Sequence, residues 1–174
     1  LTASLDEIQS LIEAALALAR GASTAEPRTA VALRALLEDI VAELCEHGGA
    51  AELAPGGAFT VSARPAALKR ALRNIAENAV RYGGKADIVL RGEAGRVRIE
   101  ITDAGPGIPA AERQRVFDPF VRLETSRSRE TGGAGLGLAI ARAVIESHGG
   151  SVALEDAPSG GTRAVIELAP ASPQ

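Results

Sequence analysis

The chain has 174 residues, 46% of them hydrophobic and 24% charged, with a formal net charge of −3. That balance suits one globular domain with an appendage and excludes a disordered tail. A single cysteine, Cys45, excludes a disulfide framework and a four-cysteine zinc site, and His47 and His148 stand far apart in sequence, against a histidine-rich metal centre. Aromatic residues make up 2% of the chain, too few for a base-stacking module, and mild acidity removes attraction to a phosphate backbone, so no nucleic-acid partner is expected. No apolar run reaches the roughly 18–20 residues of a membrane span. A chain that opens at Leu1 and holds no methionine is expected to be a piece of a longer protein.

Leu1, Leu5, Ile8, Ile12, Ala15 and Ala19 follow a 4-3-4-3-4 spacing, which predicts a helix with a heptad seam over residues 1–20. It reads either as a terminal helix folding back on its own domain or as half of a dimerising helical hairpin; the hairpin is preferred. Residues 21–29 (GASTAEPRT) read as a linker, so a domain boundary is placed there, with the main domain over 30–170 and a tail at 171–174. A helix is predicted over Val31–Cys45, with short strands near Ala51–Leu53 and Phe59–Ser62. Pro65 suits the first turn of a helix reaching Tyr82, and Gly83-Gly84 ends it. Ala86–Arg91 and Arg96–Thr102 read as a β-hairpin. A short helix is expected over Ala110–Phe117, then a functional loop over Asp118–Gly133. A helix over Leu136–His148 and strands at Ser151–Glu155 and Arg163–Leu168 complete the chain. These elements predict an α/β two-layer sandwich, a mixed and largely antiparallel sheet with helices on one face.

Three segments carry chemistry. On the helix after Pro65, Asn74, Asn78 and Arg81 form a stripe beside the apolar face, with Tyr82 close by. Such a row is either a solvated face or a place where an amide oxygen meets a hard cation and a guanidinium meets phosphate. Asp103-Ala-Gly105-Pro-Gly107 follows a strand; it is either an ordinary turn or an acceptor for an amino group with close backbone approach. Gly133-Ala-Gly135-Leu136-Gly137 opens a helix, where free N–H groups favour phosphate, although a helix start without ligand is equally open. It is neither a G-x-G-x-x-G fingerprint nor a Walker loop.

Taken in order, Asn74-Ile-Ala-Glu-Asn78-Ala-Val-Arg81-Tyr82, Asp103-Ala-Gly-Pro-Gly107, Phe117-Asp-Pro-Phe120 and Gly133-Ala-Gly-Leu-Gly137 resemble the asparagine, first glycine, phenylalanine and second glycine boxes of sensor histidine kinases. The resemblance covers roughly Val31 to Leu168 and is strongest to the osmosensor type, within the gyrase and heat-shock-chaperone ATPase superfamily. It implies a Bergerat-type ATP-binding fold, preceded over 1–20 by the second helix of a dimerisation hairpin. It further implies that Asn78 binds Mg²⁺, with Asn74 in support, that Arg81 meets phosphate and that Tyr82 lies against adenine. By the same resemblance Asp103 accepts the adenine amino group with Thr162 nearby, and Gly105 and Gly107 allow close approach at the base. Gly133, Gly135, Leu136 and Gly137 belong to the phosphate-wrapping segment. Arg122, Arg127 and Arg129 are either lid cations or simple solubilising charges.

The hydrolysing members of the superfamily carry a glutamate where Asn74 stands, and Glu77 lies off the stripe. The resemblance therefore implies an ATP-dependent protein-histidine kinase, passing phosphate to a response regulator, in a homodimeric bacterial inner-membrane parent with this part in the cytoplasm. The rivals are an ATP-hydrolysing clamp, an anti-sigma-type serine kinase and a nucleotide-sensing scaffold. His47 and His148 both precede glycine pairs and fit structural roles, so the acceptor histidine is expected outside this sequence. Cys45 is expected to be buried or inert, because no basic cluster adjoins it.

Overall fold

The computed structural model describes residues 26–123 and 135–171. The helix expected over 1–20, together with Arg127, Arg129 and Gly133, lies outside the described residues. In chain order the elements are β1 (Thr29–Ala32), α1 (Leu33–Glu46), β2 (Ala50–Leu53), β3 (Thr60–Ala63), α2 (Pro65–Gly83), β4 (Lys85–Glu93) and β5 (Arg96–Thr102). Two short 3₁₀ turns follow (Ala110–Glu112 and Arg115–Phe117), then α3 (Gly137–Ser147), β6 (Ser151–Asp156) and β7 (Thr162–Leu168).

Alternation explains the main sheet. Ala86, Ile88 and Leu90 of β4, Val97, Ile99 and Ile101 of β5, and Ala164, Ile166 and Leu168 of β7 are all buried. Their registers stack them, with Leu90 opposite Ile99 and Ile99 opposite Ile166, so one face is continuously apolar. The sheet runs β2-β4-β5-β7-β6, antiparallel except for the β2–β4 pair. The β4–β5 connection is Ala94-Gly95, both at positive φ, which matches the twist of a tight hairpin. On the outer face of the sheet Glu100 is buried and bonded by Arg91 and by Arg98 Nε at 2.8 Å, so its charge is paired where it is desolvated.

Three helices cover the apolar face. Leu33, Leu37, Ile40 and Leu44 of α1, Leu68, Leu72, Ile75 and Ala79 of α2, and Ala141 and Ile145 of α3 recur at helical spacing and are buried there. The predicted α/β sandwich is thus the observed fold. No helix among the described residues is long and apolar enough to cross a membrane.

Local differences from the sequence reading have physical causes. β1 begins at Thr29, inside the stretch read as a linker, and pairs antiparallel with β3. Four residues are too few for their alternation to stand out from a helix start. The helix expected over Ala110–Phe117 is two 3₁₀ turns, with Val116 and Phe117 alone reaching the core. Cys45 is exposed rather than buried, on the outer side of the last turn of α1.

α2 and α3 lie antiparallel and are joined by polar contacts at two points. At one, the backbone N–H of Arg64 donates to His148 Nε2 at 2.9 Å, while His148 Nδ1 donates to the Val144 carbonyl at 2.7 Å. That geometry requires the neutral imidazole, since a second ring proton would face the Arg64 N–H. Burial pushes the His148 pKa down; Arg28 and Arg64 push the same way, against the Val144 carbonyl and Glu26. A histidine whose folded pKa is lowered stabilises most above its unfolded value of about 6.5. The benefit is lost as pH falls from there toward the folded pKa. Urea unfolding at several pH values should show wild type losing stability below about pH 6.5 relative to His148→Asn. A difference between the two that is constant with pH would contradict the neutral assignment.

Candidate functional site

The end of β5 delivers Asp103 beside the start of β7. Its backbone N–H donates to the Thr162 carbonyl at 2.9 Å, extending the ladder by one residue. Its side chain turns back: Oδ1 accepts the Gly105 N–H at 2.8 Å and the Thr162 N–H at 3.1 Å. The described residues supply no hydrogen bond to Oδ2. One carboxylate oxygen is thus fixed by two amides and the other is left as an acceptor. Thr162 is itself buried.

Glycines make this turn possible. A Cβ on Gly83 would overlap the Asp103 side chain, one on Gly161 would overlap the Asp103 carbonyl, and one on Gly105 would sit 2.7 Å from the Tyr82 carbonyl. Gly107 has a φ of +79° and lies against Gly161. The last turn of α2 and the start of β7 therefore close directly onto Asp103, and a side chain would occupy the space. Gly83 is not among the site residues to which the sequence motifs point. A signal existed in the glycine pair at 83–84. Gly84 alone takes the left-handed C-cap, with φ of 76°, so Gly83 is surplus to helix termination.

The second polar contact between α2 and α3 lies at the middle of α2 and the start of α3. Asn74 Nδ2 donates to the Gly137 carbonyl at 3.2 Å, fixing the first residue of α3 against α2. Gly137 lies against the Asn74 side chain, its would-be Cβ 3.8 Å away. Leu136 is buried and anchors the α3 N-terminus. Gly135 has a φ of +69° and accepts the Phe120 N–H at 3.0 Å, tying the second glycine segment to the phenylalanine segment. Asn78 is half-buried on the Asn74 stripe, whereas Tyr82 is 46% exposed.

The structure thus brings Asn74, Asp103, Gly105, Gly107, Gly135, Leu136, Gly137 and Thr162 into one framework along the second half of α2, at the start of α3, the end of β5 and the start of β7. Arg81 and Arg122 are exposed and outside it. Arg81 lines a groove of about 460 Å³ on the α1 side of α2, with Glu43, Arg73 and Glu77. Glu77 is held there by Arg73 at 3.1 Å, off the asparagine stripe, as its helical position predicts. Among the described residues no group of three or more His, Cys, Asp or Glu side chains could hold a metal. A metal at this site would be held by amide oxygen and by what the ligand brings, an arrangement suited to Mg²⁺.

Comparison with known proteins gives the chain a family. Residues 63–172 match the family of histidine kinase-, DNA gyrase B-, and HSP90-like ATPases. The chain belongs to that family. It is 42% identical over 115 residues to the sensor histidine kinase CpxA of Escherichia coli, covering 66% of this chain and 25% of CpxA. It is 35% identical over 164 residues to the sensor histidine kinase GtrS of Pseudomonas aeruginosa, covering 94% of this chain and 34% of GtrS. The crystal structure of the ATP-binding domain of PrrB from Mycobacterium tuberculosis superposes with a TM-score of 0.70 at 29% identity, over 84% of this chain and 100% of that one. The chain therefore spans between a quarter and about a third of the length of these two relatives.

The glycine pair separates two kinds of constraint. Gly83→Ala should cost about 2 kcal/mol through its clash with Asp103, and Gly84→Ala about 1 kcal/mol through left-handed strain alone. Urea titrations distinguish the two. Equal costs would contradict the direct closure of α2 onto Asp103.

Proposed function

We propose that this chain is the ATP-binding catalytic domain of a sensor histidine kinase, which binds Mg-ATP and presents the γ-phosphoryl group to a histidine on a dimerisation helix. The phosphoryl group then passes to a response-regulator aspartate. In the first transfer, an imidazole nitrogen forms a P–N bond as the bond from the γ-phosphorus to the bridging oxygen breaks, and ADP leaves. Such a reaction asks for positioning and charge neutralisation rather than covalent help from the protein. The single observation that carries the reading is Asp103, whose Oδ1 is fixed by two amides while Oδ2 is left to accept from an adenine amino group.

The other roles follow from placement. Thr162 holds Asp103 in its rotamer, Gly105 and Gly107 open the space for a flat base, and Tyr82 offers it an exposed ring. Asn78 would hold Mg²⁺ through its amide oxygen, and Mg²⁺ supplies neutralisation of phosphate charge. Gly135 and Gly137 leave the N-terminus of α3 open to phosphate oxygens. Arg81 and Arg122 reach phosphate only by swinging from their exposed positions. The acceptor histidine lies outside this sequence, since His148 is buried and committed to two bonds and His47 caps α1. The longer kinase is a homodimer anchored in the bacterial inner membrane, with this domain on the cytoplasmic side.

An ATP-hydrolysing clamp is the second reading, and Asn74 counts against it. Its amide N–H₂ donates to the Gly137 carbonyl. A glutamate there would oppose an acceptor to an acceptor, and no carboxylate stands in its place to activate water.

Calorimetric titration with ADP, with and without Mg²⁺, tests the reading. Asp103→Asn can keep both amide bonds through its oxygen, but then turns an N–H₂ toward the base. Its affinity should fall about 10- to 100-fold, the cost of an unpaired buried donor. Asn78→Ala should lose the gain in affinity that Mg²⁺ confers while binding metal-free ADP as wild type does. Folded wild-type protein that fails to bind ADP would overturn the proposal.

A further inference from the structure

The segment read as a linker is bound to the domain at two helix ends. Glu26 accepts the backbone N–H of Ala66 through Oε1 at 2.7 Å and that of Ala67 through Oε2 at 3.2 Å. Arg28 donates to the Ser147 carbonyl. The first contact caps the start of α2 and the second caps the end of α3.

Both ends lack such partners of their own. α2 has Arg64 at its N-cap, with no side-chain cap bond, and no acidic residue in its first turn. α3 has no basic residue in its last turn. A helix N-terminus favours an anion and a C-terminus a cation. Glu26 and Arg28 supply one of each from some 40 and 119 residues away in sequence. They stand two residues apart, on either side of Pro27 and just before β1. Pro27 between them restricts the backbone that carries them. The neighbouring His148–Arg64 bond joins the same two helix ends.

We propose that Glu26 and Arg28 are positioning residues for phosphoryl transfer: the pair latches the lead-in segment to the α2 and α3 ends opposite the Asp103 site. That latch sets the angle at which the nucleotide site is presented to whatever precedes residue 26. The consequence for transfer rests on the kinase reading above; the latch itself does not. Neither residue touches the nucleotide framework. Loss of the latch therefore leaves nucleotide affinity alone and removes the fixed approach of donor to acceptor, on which transfer depends steeply.

The latch is tested on this chain by hydrogen exchange of the Ala66 and Ala67 amides in Glu26→Ala and Arg28→Ala. In Glu26→Ala these amides should exchange roughly 3- to 30-fold faster, the range expected for loss of a helix cap, with Arg28→Ala instead loosening residues 147–150. ADP affinity should stay within about twofold of wild type in both. Unchanged exchange in both variants would overturn the latch whether or not the chain binds ADP. In the longer kinase carrying the acceptor histidine, the double variant should lower kcat for self-phosphorylation by at least about fivefold with KM for ATP unchanged. An unchanged or raised kcat, or a rise in KM alone, would overturn the positioning role. Failure to bind ADP at all would fall on the kinase reading instead, with the exchange result still deciding the latch.

Discussion

Two amide hydrogen bonds to one carboxylate oxygen hold the candidate site together. Asp103 Oδ1 receives the Gly105 and Thr162 N–H groups, and every neighbouring element is shaped around that turn. β7 must begin at Thr162 for its amide to be in place, and its Cα pairing with β6 starts there, opposite Asp156. α2 must end in a residue without a side chain, because Gly83 closes onto Asp103 from above. An acceptor anchored in this way needs no rearrangement to meet an amino group, which is the physical content of a preorganised site.

The helices extend that logic along their length. α2 carries Asn74 to the first residue of α3, and at the other end its Arg64 amide meets His148. The two contacts join both ends of α3 to α2, one at the start of α2 and one at its middle. The helix that carries Asn78 and the one that starts at Gly137 are therefore tied to each other. The lead-in segment bonds to the end far from Asp103, so a strain applied there meets the helix pair and not the Asp103 turn.

Much of this was legible in the sequence, and the residues show why. The alternation of β4, β5 and β7 and the helical period of α1, α2 and α3 are imposed by a single apolar layer, so pattern alone recovers the sandwich. The four boxes are short and follow one another in a set sequence, and three of them are rich in glycine or asparagine, residue types that local propensity does not favour inside elements. β1 was not legible, because its four residues gain meaning only through pairing with β3. The cap on α2 was not legible either: no local residue performs it, and its donor of charge stands before β1. Gly83 looked like a helix stop because its true constraint, the Asp103 side chain, comes from a strand twenty residues on. Arg81 shares the asparagine stripe by helical angle, yet its exposed side chain lines the α1 groove, a choice of rotamer that spacing cannot convey.

The most direct test of the account is a crystal structure of this chain with ADP and Mg²⁺. The adenine amino group is expected within hydrogen-bond distance of Asp103 Oδ2, with Oδ1 still holding the Gly105 and Thr162 amides. A base bound elsewhere, or an Asp103 turned away from both amides, would contradict it.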